Sequence, residues 1–351
     1  MLKPGPIKGR GASHNPHNKF EKLSYELELD DDLLKDQTKP KTEFFHDTSK
    51  SIVAENNSPD IGFRFSANPY RGCEHGCAYC YARPSHEYLG YSAGIDFETK
   101  IFVKEKAPEL LRQKLSSRGW KCELIMMSGI TDCYQPIERK LQLTRGCLQV
   151  LAEFRNPVSL ITKNALITRD IDVFQELAKY DCVSTCLSVT TLNEELGRKL
   201  EPRTSAPRAR LKAIEELAKA GIPVAVNVAP VIPGLTDHEM PAILKAAHEA
   251  GASSAGFTPL RLPSTVQPVF VEWLEQHFPE RKEKVLSHIR SLRGGLLNDA
   301  NFGSRMRGQG PIAENIQQMF KIYSKRFGFD KRTWSLSTEH FRRVTDQLSL
   351  F

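Results

Sequence analysis

The chain has 351 residues, 40% of them apolar and 26% charged, with 49 Lys and Arg against 42 Asp and Glu for a formal net charge of +7. This is the balance of a globular enzyme with one large core or two modest ones; it excludes a disordered chain, and no apolar run approaches the ~20 residues of a membrane helix. Eight cysteines at irregular spacings are too sparse for a disulfide framework, and with no cleavable apolar leader they read as reduced thiols of a soluble cytoplasmic protein.

Residues 1–58 read as a flexible extension. Its opening places Lys3, Lys8, Arg10, Lys19 and Lys22 among Gly, Pro, Asn and His, and the acidic patch of Glu26, Glu28, Asp30, Asp31, Asp32 and Asp36 follows as a solvated edge or turn. From about residue 60, short β-branched runs alternate with longer amphipathic stretches. Strands are expected near 62–67, 123–128, 158–162, 183–189, 223–229 and 253–257, with helices near 107–117, 138–155, 166–180, 206–220 and 238–250 between them. Six β/α units are too few to close an eight-stranded barrel, and a parallel sheet needs both faces covered. The fold class is therefore α/β, a partial (β/α)6 TIM-like barrel over 59–262, with any site at the carboxyl ends of its strands.

In the fourth strand, period-two alternation puts Cys182, Ser184, Cys186, Ser188 and Thr190 on one face and Val183, Leu187 and Val189 on the other, so a polar face lines the lumen. Residues 263–345 read as a helical appendage or lid, with helices near 280–292 and 312–327. Between them, Gly303-Ser-Arg-Met-Arg-Gly-Gln-Gly310 offers two guanidinium groups that either seat phosphates or merely turn the chain.

After the first strand comes Arg71-Gly-Cys-Glu-His-Gly-Cys-Ala-Tyr-Cys-Tyr81, in which Cys73, Cys77 and Cys80 stand at C-x3-C-x2-C spacing. Three thiolates on one tight loop ligate three irons of a cubane and leave the fourth open for chemistry. The alternative is a zinc-stabilised binding module without enzymatic activity; zinc wants four protein ligands, no second cysteine pair matches, and His75 would have to fold back on its own loop to serve. Cys122, Cys147, Cys182 and Cys186 read as small buried side chains.

With this loop on such a barrel, the chain resembles the radical S-adenosylmethionine (SAM) enzymes, and within them the spore photoproduct lyase-like branch, over roughly residues 60–260. The resemblance implies a 4Fe-4S cluster on Cys73, Cys77 and Cys80 whose open iron chelates SAM. One electron, from a donor such as flavodoxin or ferredoxin, then gives methionine and a 5'-deoxyadenosyl radical. It also implies hydrogen-return roles for Tyr79 and Tyr81, a methionine-amino contact at Ser128-Gly129, a methionine-carboxylate contact at Lys163 of Ile161-Thr-Lys-Asn164, and a SAM-side position for Ser188. Leu200-Glu-Pro-Arg-Thr-Ser205 is similar to a Glu-Pro segment of that branch, and Ala229-Pro-Val-Ile-Pro-Gly-Leu-Thr-Asp237 to a motif that packs the adenine. One departure stands out: Gly129 occupies the place of the lyase's hydrogen-donor cysteine, and Cys133 of Thr131-Asp-Cys-Tyr-Gln-Pro136 is the candidate donor at the barrel mouth, with a packed cysteine as the alternative. The expected substrate is nucleic acid, probed as damaged DNA, with RNA or a peptide as the alternative. Residues 346–351 end in Gln347-Leu-Ser-Leu-Phe351, where Gln347, Leu348, Ser349, Leu350 and Phe351 resemble the peptide that docks bacterial repair proteins on the DNA sliding clamp.

Overall fold

The structure, a computed structural model, describes residues 5–21, 40–331 and 335–344. The acidic patch from Glu26 to Asp36 and the terminal peptide from Gln347 lie outside the described residues.

Among the described residues there are ten strands: β1 (Glu43–His46), β2 (Val53–Glu55), β3 (Phe65–Ala67), β4 (Tyr70–Arg71), β5 (Lys100–Val103), β6 (Ile125–Met127), β7 (Val158–Thr162), β8 (Val183–Ser188), β9 (Val224–Val231) and β10 (Ser254–Pro259). The larger sheet has the order β10-β9-β8-β7-β6-β3-β2. Every neighbouring pair from β3 to β10 is parallel, and β2 runs antiparallel on the edge. The six expected strands are thus the six parallel ones, and they build the partial barrel. A second sheet, β1-β5-β4, was not expected; it holds the chain on either side of the cysteine loop.

Register explains the two faces. Ile125, Met127, Val158, Leu160, Val183, Leu187, Val224 and Val226 are buried in the main core beneath the helices. On the opposite face Ser66, Met126, Ser159 and Ser184 form one row across four strands. Ile161, Cys186, Ala225 and Ser254 form a second row, and Ser188, Asn227 and Gly256 a third. Small and polar side chains therefore line the lumen, with Ser184 Oγ donating to Ser159 Oγ at 2.9 Å.

The outer layer contains Ala107–Ser116, Leu143–Phe154, Ile171–Ala178, Pro207–Lys219 and Met240–Glu249. The helix Gly310–Arg326 completes it, packing on Met240–Glu249 and on β10, with Phe257 and Phe320 ring centroids 4.6 Å apart. This corrects the lid reading of that segment: the helix covers the last strand. The helix Val266–His277, disguised by Pro263 and Pro268, brings Phe270 and Trp273 into a second core with Cys77, Tyr79, Leu196 and Leu200. This helix thereby supports the cysteine loop.

The opening residues differ from the expected mobile arm. Ala12 and Asn18 are buried, and the Gly11 and Ala12 amides donate to the carboxylate of the fully buried Glu98 at 3.1 and 2.9 Å. A Cβ at Gly11 would overlap the Gly76 carbonyl, so only glycine lets this strap cross the cysteine loop.

Candidate functional site

Cys73, Cys77 and Cys80 are unpaired thiols, the first two buried and the third partly so. Their loop is anchored through its backbone, with Cys73 N donating to Phe97 O at 2.9 Å and Ala78 N to Leu200 O at 3.0 Å. Arg83, wholly buried, donates from Nε and Nη2 to Cys77 O and pairs with Glu98 at 2.5 Å. The three thiols lie within electrostatic reach of one another; burial pushes the Cys80 thiol up to about 11 and the Cys77 thiol well above its ordinary value. Such thiols are held as a preformed set whose charge a cluster would compensate. Among the described residues no three His, Cys, Asp or Glu side chains converge as a single metal ion requires. Three cysteines on one loop are one short of the four protein ligands of a structural zinc site, whereas a 4Fe-4S cluster with one open iron takes three.

His75 is no fourth ligand. Its Nδ1 faces Asp132 at 3.3 Å, and its Nε2 meets the Asn164 amide nitrogen at 3.3 Å. Asn164 Oδ1 is taken by Leu166 N and Ser205 Oγ; burial opposes charge on the imidazole, but Asp132 and then Cys73 raise it to about 10, so the ring is a cation facing the Asp132 carboxylate. Burial opposes the Asp132 charge, but His75, the Lys163 amide and the Thr162 hydroxyl hold its carboxyl down at about 2. Asp132 thus ties the cysteine loop to the end of β7. The sequence reading quoted this residue without giving it a role; an aspartate just beyond a parallel strand was the available signal.

Lys163 follows β7, and its Nζ stands 5.8 Å from the Tyr79 ring centroid. Its charge reaches Cys77, Cys80, Cys186 and Glu201, which sets a cation beside the cysteine loop and the lumen. Tyr79 is buried, with its hydroxyl on the Glu201 carboxylate and 3.3 Å from Thr190 Oγ1. Burial and then Glu201 push that phenol well above its ordinary range. Glu201 in turn pairs with the buried Arg210, whose Nη1 donates to the Ser188 carbonyl at 2.9 Å. The Glu-Pro segment is therefore a structural brace between β8 and the cysteine loop.

Tyr81 differs from Tyr79: it is 54% exposed, and its hydroxyl donates to Gly129 O at 2.9 Å. Ser128, at a left-handed φ of 75°, turns the chain after β6 and accepts from Cys133 N at 2.9 Å. Ser188 is buried at the end of β8. Cys133 does not stand at the barrel mouth. It is fully buried in the main core, and burial, followed by Asp132, pushes its thiol well above the ordinary value. The structure thus brings the cysteines, Lys163, Tyr79, Tyr81 and Gly129 around one cleft and leaves Cys133 as a packed side chain.

Comparison with known proteins agrees with this arrangement. The family model described as the Radical SAM superfamily matches residues 67–247. An uncharacterized protein of Mycobacterium tuberculosis (strain ATCC 25618 / H37Rv) is 37% identical over 245 residues, 69% of this chain and 71% of that one. The radical SAM Nalpha-GlyT isomerase of Pseudomonas phage M6 is 24% identical over 203 residues, 57% of this chain and 40% of that one. Among solved structures, spore photoproduct lyase complexed with dinucleoside spore photoproduct shares the fold at a TM-score of 0.59 and 15% identity, covering 81% of this chain and 79% of that one. Matched across its barrel from the end of β3 to the helix after β9, with its three cysteines in the cleft, the chain belongs to the radical SAM superfamily.

Proposed function

We propose that Cys73, Cys77 and Cys80 hold a 4Fe-4S cluster and that the radical made from SAM abstracts hydrogen from a nucleic acid, in a lesion repair related to that of spore photoproduct lyase. The observation that carries the reading is the Lys163 cation beside a three-cysteine loop at the carboxyl ends of six parallel strands. When bound, the cluster supplies the one-electron reduction that opens the sulfonium of SAM. The protein's part is placement. Lys163 receives the methionine carboxylate, the Ser128-Gly129 turn offers its backbone to the amino group, and the lumen of small polar side chains takes the remainder. The Glu201–Arg210 brace and the Glu98 anchor keep the loop from yielding as the charge of the site changes.

The nucleic-acid part rests on the net charge of +7, on the likeness of the terminal residues to a docking peptide, and on the dinucleoside spore photoproduct bound by the structural relative. Gln347, Leu348, Ser349, Leu350 and Phe351 dock on a bacterial sliding clamp in this reading, and a flavodoxin or ferredoxin delivers the electron. Reduced, anaerobically reconstituted protein is to be incubated with labelled SAM and ultraviolet-damaged DNA. Exchange of label between DNA and 5'-deoxyadenosine supports the proposal. Formation of 5'-deoxyadenosine with no exchange into any DNA substrate would remove the substrate assignment, and absence of both iron and 5'-deoxyadenosine would remove the whole reading.

A further inference from the structure

The six parallel strands leave the sheet with two free edges, β2 and β10. They are joined by a side-chain clasp in place of a ladder: Asp60, between β2 and β3, accepts from Gly303 N at 2.6 Å and pairs with Arg305, while Arg305 Nη2 donates to Ser58 Oγ at 3.0 Å. Arg261 emerges from the end of β10 beside this clasp, within electrostatic reach of Arg305, Asp60, Asp299 and the Tyr81 hydroxyl. Behind it Arg293, 4% exposed, donates to the carbonyls of Leu260, Ser304 and Arg305.

Two features of this cluster are unresolved within the protein. Arg261 Nε and Arg293 Nε are both enclosed without an acceptor, and the contact of Arg261 Nη1 is with the Met306 sulfur at 3.1 Å, a weak acceptor. Three guanidinium groups also share two carboxylates, Asp60, held by Arg305, and Asp299. Buried arginine normally finds full hydrogen bonding, because an unmatched N–H carries the cost of its lost water. A group of negative charge bound beside Tyr81 at the rim of the cleft would balance the cluster and give Arg261 a stronger acceptor than the Met306 sulfur. Arg305 itself is engaged by Asp60 and stacks on Phe302 at 4.3 Å, so the guanidinium left to meet a ligand is that of Arg261.

We infer that Arg261, backed by Arg293 and Arg305, is a phosphodiester notch that registers a nucleic-acid strand against Tyr81. The inference rests on the proposed nucleic-acid substrate and deepens it. Arginine suits such a site because its planar fork matches two phosphate oxygens. Phosphate contacts of this kind fix the position of a strand without reading its sequence.

The test uses the reconstituted full-length holoprotein and a fluorescent single-stranded oligonucleotide, followed by anisotropy across a salt series. Arg261→Gln is expected to weaken binding about tenfold or more, as for loss of a hydrogen bond to a charged group. The slope of log K against log salt should fall by about 0.7, the share of one phosphate contact on a single strand. Arg261→Lys, which keeps the charge but not the fork, should restore the slope and only part of the affinity. Iron content and urea midpoint of each variant establish that it is folded. Binding by wild type with unchanged affinity and slope in Arg261→Gln overturns the notch and leaves the nucleic-acid reading standing. A wild-type protein that binds no oligonucleotide at low salt, or one in which Arg261→Gln abolishes capture of an acidic peptide instead, overturns both.

Discussion

Glu98→Ala is expected to unfasten the cysteine loop. Glu98 and Arg83 are both wholly inaccessible to solvent. Glu98 Oε1 accepts from Arg83 Nη2 at 2.5 Å and from Ala12 N at 2.9 Å, and Oε2 accepts from Gly11 N at 3.1 Å. Truncation leaves Arg83 with the neutral carbonyls of Cys77, Ala93 and Gly94 and no counter-charge. Breaking a buried pair from one side costs roughly 3–5 kcal/mol, and each orphaned amide adds about 1 kcal/mol or more where water does not enter. Against a total stability of about 5–15 kcal/mol, this is a third or more of what holds the fold. The assay is urea unfolding of the apoprotein, followed by iron and sulfide content after reconstitution. Glu98→Gln should lie between wild type and Glu98→Ala, since it keeps acceptor oxygen but not charge. Gly11→Val, which changes no charge, should lower cluster occupancy by forcing the strap off Gly76. An unchanged midpoint and full iron content in Glu98→Ala would refute the reasoning, because the buried Arg83 charge would then be satisfied elsewhere.

Alanine at Cys73, Cys77 or Cys80 should remove the brown visible absorbance and all formation of 5'-deoxyadenosine, whereas alanine at Cys122, with Sγ 3.7 Å from Asn156 Oδ1, should leave both in place. Lys163→Ala should weaken SAM binding about 10- to 100-fold by equilibrium dialysis with iron content unchanged, the span expected for one charge-assisted hydrogen bond in a dry site; equal affinity would remove Lys163 from the carboxylate. Tyr79→Phe should lower the urea midpoint, because Glu201 and Thr190 lose a buried donor, while Tyr81→Phe should leave stability within ~0.5 kcal/mol and alter the return of label from 5'-deoxyadenosine. Cys133→Ala, at a fully buried core position, should change stability modestly and leave the product partition as it was; a changed partition would restore the donor role. Deleting residues 347–351 should abolish clamp capture in a pull-down and spare SAM cleavage.

The barrel was legible because its central strands β6 to β9 carry β-branched residues on the face that meets a helix, and that pattern survives whatever the loops do. Val158-Ser-Leu-Ile-Thr162 and Val183-Ser-Thr-Cys-Leu-Ser188 show it plainly. The cysteine loop was legible for a different reason: ligand spacing is a local property. What the sequence hid was everything set by distant pairing. Glu98 lies in a five-residue helix and looks like a surface acid until Gly11, Ala12 and Arg83 converge on it. Asp132 looks like a turn former until His75 and Lys163 N are found on its Oδ2 and the Thr162 hydroxyl on its Oδ1. Cys133 misleads in the opposite direction, because its place after β6 suggests the cleft, whereas the turn at Ser128 carries it back into the core.

The incomplete barrel also accounts for how the two edges of the sheet are finished. A six-stranded parallel sheet exposes two edges whose unpaired backbone groups invite association unless covered. Here β10 is covered by Gly310–Arg326 and fastened to the β2 side through Asp60 and Arg305, so the closure consists of side chains. A side-chain clasp can carry free guanidinium groups, whereas two further strands would have spent those positions on ladder hydrogen bonds. The place where the barrel is left open is thus also the place where Tyr81 is exposed and Arg261 lacks an acceptor. In the proposed function, a nucleic-acid strand would approach from this side, where Arg261 would meet its phosphates. Chemistry that needs water kept from a reactive intermediate is served by the same geometry, since the strand bound at the notch would itself close the opening over the cysteine loop.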